Sequence, residues 1–185
     1  MVHRAHSGDP VAVHELLGVI APVVVRYCRA RMGGRDLSYL SADDVAQEVC
    51  LAVLKILPSY EDRGGSFLYL VRAIAANKVA DAFNAVSKDK SKPVPDLPEE
   101  AAAGVGPEGN AVALDLGARL ERLMSRLPRN QQEIVSLRVV VGLSLAETAE
   151  ALGISPGRVR GQEYRALAKL REMIEVGDRQ WAAGG

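Results

Sequence analysis

Apolar positions recur at helical spacing through most of this chain, in blocks separated by Gly and Pro. The first block starts near Pro10 with Asp9 as its cap and carries Val13, Leu16, Leu17, Ile20, Val24, Tyr27 and Cys28 on one side. Pro22 is expected to kink or divide that helix, and Gly33-Gly34 to end it. Ser41-Ala42-Asp43-Asp44 has the form of a capping box and opens a second helix with Val45, Val49, Ala52 and Ile56 on one face. Pro58 stops it, and a loop from Ser59 to Ser66 contains Gly64-Gly65. A third helix runs from Phe67 to about Val86, apolar at Phe67, Leu70, Val71, Ile74, Val79, Ala82 and Phe83 and polar at Arg72, Asn77, Lys78 and Asp81.

The periodicity then stops. From Ser87 to about Asn110 the chain holds Pro93, Pro95, Pro98 and Pro107, three Gly, and Val94, Leu97 and Val105 as its large apolar residues. Such a stretch buries too little to offset its ordering entropy, so it reads as a linker. Helix resumes near Ala111, with Leu116, Leu120, Leu123, Met124 and Leu127 on one side, and Pro128 ends it. Gln131 to Val141 forms a short helix closed by Gly142. Ser144-Leu145-Ala146-Glu147 is a second capping box opening a helix through Leu152; Gly153 turns the chain; and Ser155 caps a last helix from Pro156 to about Ile174. The organisation is therefore all-α: a domain over 1–87, a flexible acidic linker over 88–110, a domain over 111–177, and a frayed tail over 178–185.

Composition agrees with packed helices: 48% of residues are hydrophobic and only 4% aromatic. Cys28 and Cys50 lie in different apolar stretches and define no disulfide framework, which fits a reduced cytoplasmic setting. Apolar runs such as Leu16 to Val25 are short for a membrane span, and the N-terminus does not read as a signal peptide. His3, His6 and His14 crowd one end, where a mobile tail is the reading preferred over a metal site. Ser, His and Asp fall into no nucleophilic constellation, and there is no Gly-rich phosphate loop, so neither an enzyme nor a cofactor is expected.

Formal net charge is zero, unusual for a free DNA binder, but its distribution is uneven. Lys88, Lys90 and Lys92 are followed by a stretch without Lys or Arg that holds Asp96, Glu99, Glu100, Glu108 and Asp115, and basic residues return from Arg119. A basic, acidic, basic order suits a protein whose DNA affinity is borrowed from a larger assembly. The last two helices carry the clearest chemistry. A short capped helix, a Gly turn and a longer capped helix form a helix-turn-helix, with Ala146, Ala149 and Leu152 before the turn and Ile154, Val159 and Leu167 after it. Arg158, Arg160, Gln162, Tyr164 and Arg165 occupy the first turns of the second helix, where a recognition helix meets bases and phosphates. On the second helix of the chain, Asp44, Gln47, Glu48, Leu51 and Lys55 share a face, which periodicity alone reads as solvated.

Leu127-Pro128, Gln131-Gln132-Glu133-Ile134-Val135-Ser136-Leu137-Arg138 and Gly142-Leu143-Ser144, followed by the helix-turn-helix, resemble region 4 of sigma-70 family factors. Asp44-Val45-Ala46-Gln47-Glu48-Val49 resembles that family's region 2.2, and Arg72 to Asp81 resembles regions 2.3 and 2.4. With no room for region 1.1 or a folded region 3, the chain resembles the extracytoplasmic function (group 4) class of bacterial sigma factors.

That resemblance implies an alternative sigma factor that binds core RNA polymerase and directs promoter recognition, melting and initiation. It turns Asp44, Gln47, Glu48 and Leu51 from a solvated face into a docking surface for the β′ clamp coiled coil, and gives region 4 the β flap as its contact. For the −10 element it implies the loop with Arg63, then Asn77, Lys78 and Asp81, with Lys88 and its neighbours supplying phosphate contacts where Asn84 and Ala85 replace the family's Arg. For the −35 element it implies Arg158, Arg160, Gln162, Tyr164 and Arg165, with Gly161, Gln162 and Glu163 departing from the family pattern; Glu163 repels phosphate if it faces DNA. The acidic linker is expected to thread the polymerase cleft and RNA exit path, and many relatives are held by an anti-sigma factor. The alternative reading of the same residues is a helix-turn-helix regulator that binds duplex DNA without polymerase, its first half serving as a sensor or dimerisation domain.

Overall fold

A computed structural model describes residues 1–32, 40–61, 66–89 and 107–183, with side chains described outside 87–89, 107–115 and 177–183. The helices are α1 (Val2–His6), α2 (Pro10–Met32), α3 (Ala42–Ile56), α4 (Phe67–Asp89), α5 (Pro107–Ser125), α6 (Arg129–Val135), α7 (Leu145–Leu152) and α8 (Pro156–Ala183). A 3-10 turn over Leu57–Ser59 follows α3, and a π-helical segment over Ser136–Val141 continues α6.

α2 is the central element of the first half. Leu16, Ile20, Val24, Tyr27, Cys28 and Met32 are buried along it, against Val45, Val49 and Val53 of α3 and Val71, Ala75, Val79 and Ala82 of α4. It remains a single 23-residue helix despite Pro22. The expected break does not occur because Pro22 and Gly18, whose carbonyl loses its donor, are both exposed, where water can satisfy the orphan group. α2 is also long and apolar enough to cross a membrane by length and composition, contrary to the sequence reading, but its apolar side here forms the domain core.

Other boundaries differ in informative ways. The inward row of α3 is Val45, Ala46, Val49 and Val53, while Ile56 points outward. The N-terminal residues form α1 instead of a mobile tail, with Ala5 buried and His6 Nδ1 at 3.0 Å from the Leu57 carbonyl. α4 extends to Asp89 and α5 begins at Pro107, so both ends of the expected linker are helical, and 90–106 lie outside the described residues. α8 continues to Ala183 through Gly177, in a stretch with no proline to stop it.

The second half closes on the first. Leu127, Val135 and Ala166 make one small core, and Ile134, Ala149 and Val159 another. Leu137, Val141, Leu143 and Ala151, by contrast, are buried in the same cluster as the α2 and α4 residues. Polar contacts line this seam: Arg26 Nε donates to the Val141 carbonyl at 2.9 Å and Arg72 Nε to the Ala151 carbonyl at 3.3 Å, and Ser66 bonds Glu150.

Candidate polymerase and promoter interfaces

Both capping boxes close as their sequences require. Ser41 Oγ accepts from the Asp44 amide at 3.1 Å while Asp44 accepts from the Ser41 amide at 2.9 Å. Ser144 and Glu147 repeat the arrangement at 3.2 and 2.7 Å. The backbone and hydroxyl of Ser41 hold the Asp44 carboxyl below its ordinary range, and Ser144 does the same for Glu147. Asp44 therefore serves first as a helix cap.

α3 presents Asp44, Gln47, Glu48 and Leu51 to solvent, with Leu51 56% exposed. Beside them lies an apolar groove of about 560 Å³, walled by Leu17, Ala21 and Val25 of α2 and by Ala46, Cys50, Leu51 and Leu54 of α3. Sequence reasoning missed the α2 wall, although Leu17, Ala21 and Val25 recur at intervals of four. A bidentate pair between Arg29 and Asp43, at 2.9 and 2.7 Å, ties the two walls at one end. Burial raises the Cys50 thiol, so the cysteine in this groove is an apolar lining group rather than a thiolate.

On α4, Asn77 and Asp81 are exposed one turn apart. Lys78 turns the other way: its Nζ is 2.9 Å from Glu48 Oε2, joining the expected −10 surface to the expected docking surface through one ion pair. That contact also holds the Lys78 ammonium above its ordinary value. Lys88 lies in the last turn of α4, not in a linker, and Arg63 lies outside the described residues.

In the helix-turn-helix, Gly142 and Gly153 adopt φ of +83° and +63°, the left-handed region that favours glycine. A Cβ at Gly153 would make only ordinary contact with the Tyr69 ring, at 3.4 Å, so it is the backbone conformation that favours glycine there. α8 then shows two faces. Arg160, Tyr164 and Arg165 are open to solvent, Tyr164 being 75% exposed. Arg158, also exposed, and the half-buried Gln162 line a cleft of about 490 Å³ whose opposite wall includes Arg72, Ala76 and Ala80, and Gln162 accepts from Gln131 Nε2 at 3.1 Å. Glu163 points inward to Arg138 at 3.1 Å and is 18% exposed, so the feared repulsion of phosphate does not arise.

These parts occur together in known proteins. Residues 19–88 match the family description Sigma-70 region 2, and residues 117–170 match Sigma-70, region 4. The chain belongs to the sigma-70 family. It is 50% identical over 179 residues to the ECF RNA polymerase sigma factor SigD of Mycobacterium tuberculosis, covering 96% of this chain and 84% of the relative. It is 42% identical over 180 residues to ShbA of Streptomyces griseus, covering 95% and 94%. A solved structure of CnrH, in complex with the cytosolic domain of CnrY, shares the fold with a TM-score of 0.63 at 24% identity, covering 95% of both chains. The protein is an alternative sigma factor of the extracytoplasmic function class: it binds core RNA polymerase and directs it to promoters, and it is not an enzyme.

Proposed function

We propose a division of labour among the surfaces of this sigma factor. Gln47, Glu48 and Leu51 dock on the β′ clamp coiled coil of the polymerase, with the neighbouring groove receiving apolar side chains and Asp44 fixing the start of α3. Asn77, Asp81, Lys78 and Lys88, with Arg63 of the preceding loop, serve the −10 element; Arg158, Arg160, Gln162, Tyr164 and Arg165 serve the −35 element; and region 4 meets the β flap. The acidic linker threads the polymerase cleft, the site of action is the cytoplasm, and an anti-sigma protein is the natural regulator, as CnrY accompanies CnrH in the solved complex.

The observation that carries this reading is the exposed stripe on α3, with Leu51 at the rim of an apolar groove. An apolar side chain held open beside an apolar groove and ringed by polar groups is the form of a helix-docking surface. Run-off transcription with core polymerase and a pool of promoter fragments tests it. Starts that need the wild-type protein and vanish with Leu51→Asp are expected. Duplex binding by the protein alone, without polymerase-dependent starts, overturns it.

A further inference from the structure

Glu133 belongs to α6, yet the partners around its carboxylate come from the other domain. The Tyr27 hydroxyl donates to Oε1 at 2.7 Å, Arg72 Nη1 stands 3.6 Å from the same oxygen, and Arg31 Nη1 stands 3.6 Å from Oε2. The carboxylate is 13% exposed and the two arginines 29% and 23%. Burial, and then the Glu133 charge, push the Tyr27 phenol above its ordinary value, so it remains a donor. Two guanidiniums, from α2 and α4, thus converge on the two oxygens of a single anion. That arrangement fits the two unesterified oxygens of a phosphodiester equally well. Beyond Arg72, α4 contributes only Ala76 and Ala80 to the cleft beside them, small enough for a strand to lie close on that side, and Arg129 and Arg158 of region 4 line the same cleft.

We propose that Arg31 and Arg72 form a phosphate-binding site of region 2 for promoter DNA, which Glu133 occupies as a carboxylate stand-in while the domains are closed. The proposal rests on the sigma reading above and adds a competition to it. Region 4 and the DNA backbone claim the same two arginines, so the free protein masks part of its own DNA affinity. Assembly with polymerase, by drawing region 4 away, releases both arginines together. Removing the charge of Glu133 should then do in the free protein what opening does in the complex.

The test titrates the full-length protein against a fluorescent single-stranded 20-mer of mixed sequence, since phosphate contacts are independent of sequence and fall with salt. Glu133→Gln keeps the shape and a hydrogen-bond acceptor for Tyr27. It should bind at least tenfold tighter than wild type, with a steeper salt dependence. Adding Arg31→Ala and Arg72→Ala to it should return affinity to the wild-type level or below, while Arg72→Lys in the same background retains part of the gain and controls for misfolding. A Glu133→Gln protein that binds no tighter overturns the proposal, as does a gain that survives loss of both arginines. Run-off transcription with wild type is measured in parallel. Protein-dependent starts with an unchanged affinity of Glu133→Gln reject the masked site alone, whereas absence of starts rejects the sigma reading on which it stands.

Discussion

The first half of this sigma factor buries Leu16, Ile20, Val24, Val45, Val49, Val53, Val71 and Val79 among helices of its own, whereas the second half divides its interior between Leu127 with Val135 and Ala166, and Ile134 with Ala149 and Val159. What region 4 cannot bury in those two clusters, Leu137, Val141, Leu143 and Ala151, it buries against α2 and α4. A domain this small has little interior relative to its surface. Its spare apolar surface therefore needs a cover, and in the free chain region 2 supplies it. The functional faces differ in the same sense. The α3 stripe of region 2 looks outward, while the recognition helix of region 4 leaves Arg158, Arg160, Tyr164 and Arg165 exposed but half-buries Gln162 in the cleft toward α4, which Arg158 also lines. Region 2 is built to be ready, and region 4 to be released.

The largest effects should separate the two cores. Leu16→Ala, at a site 4% exposed, is expected to cost about 2–5 kcal/mol and to lower protection in both halves, because region 4 leans on the α2 surface. Ile134→Ala, at a site 1% exposed, should cost a similar amount, about 2–5 kcal/mol, but should open region 4 and leave α2, α3 and α4 protected. Amide exchange followed by mass spectrometry reads both. Equal loss across both halves in Ile134→Ala would show that the cores are not separable.

Next in size is the contrast between outward faces. Leu51→Asp should change stability by no more than about 0.5 kcal/mol, since the side chain is exposed. It should weaken binding to core polymerase by about 2 kcal/mol if Leu51 is a central contact, measured by competition with a labelled sigma factor. On region 4, Arg160→Ala should cost about 1–3 kcal/mol at the −35 element and relax the preference at one base. Glu163→Gln, one turn along and facing Arg138, should lower stability and leave base preference unchanged, because its carboxylate faces the domain interior. Altered preference in Glu163→Gln would break that assignment.

Much of this was legible before any coordinates. Ser41 with Asp44 and Ser144 with Glu147 announce two helix starts, because a capping box is a local contract between residues three apart. The exposed row Asp44, Gln47, Glu48 and Leu51 follows from helical spacing in the same way. Contacts between elements were not legible. Arg72 reads as one polar residue among several on α4, and nothing local tells that it meets Glu133 and the Ala151 carbonyl in the other domain. Glu163, likewise, faces DNA or Arg138 according to which side of α8 is packed, and that is settled by α6 and the segment after it. The persistence of α2 through Pro22 depends on which side of the helix is wet, a tertiary property that the proline rule does not contain.

The two capping boxes offer the finest test, because the same motif serves helices of different length. α3 has 15 residues and packs on two neighbours, whereas α7 has eight and carries the helix-turn-helix. Ser144→Ala is expected to cost about 0.5–2 kcal/mol, and to do so locally, loosening α7 before region 2 responds. The acid limb of stability sharpens the same point. Glu147 is held below its ordinary value of 4.5 by Ser144, so the unfolded chain takes up a proton before the folded one does. The cap's contribution is therefore complete above that ordinary value and is lost as pH falls through the lower folded one. Glu147→Gln removes the titrating group, so the gap in Tm between it and wild type should be widest near neutral pH and should close as pH drops below the ordinary carboxylate range. Melts followed by circular dichroism over that range decide the matter. A gap that stays constant with pH would mean that Glu147 acts through packing, and that α7 takes its start from region 2 instead of from its own first turn.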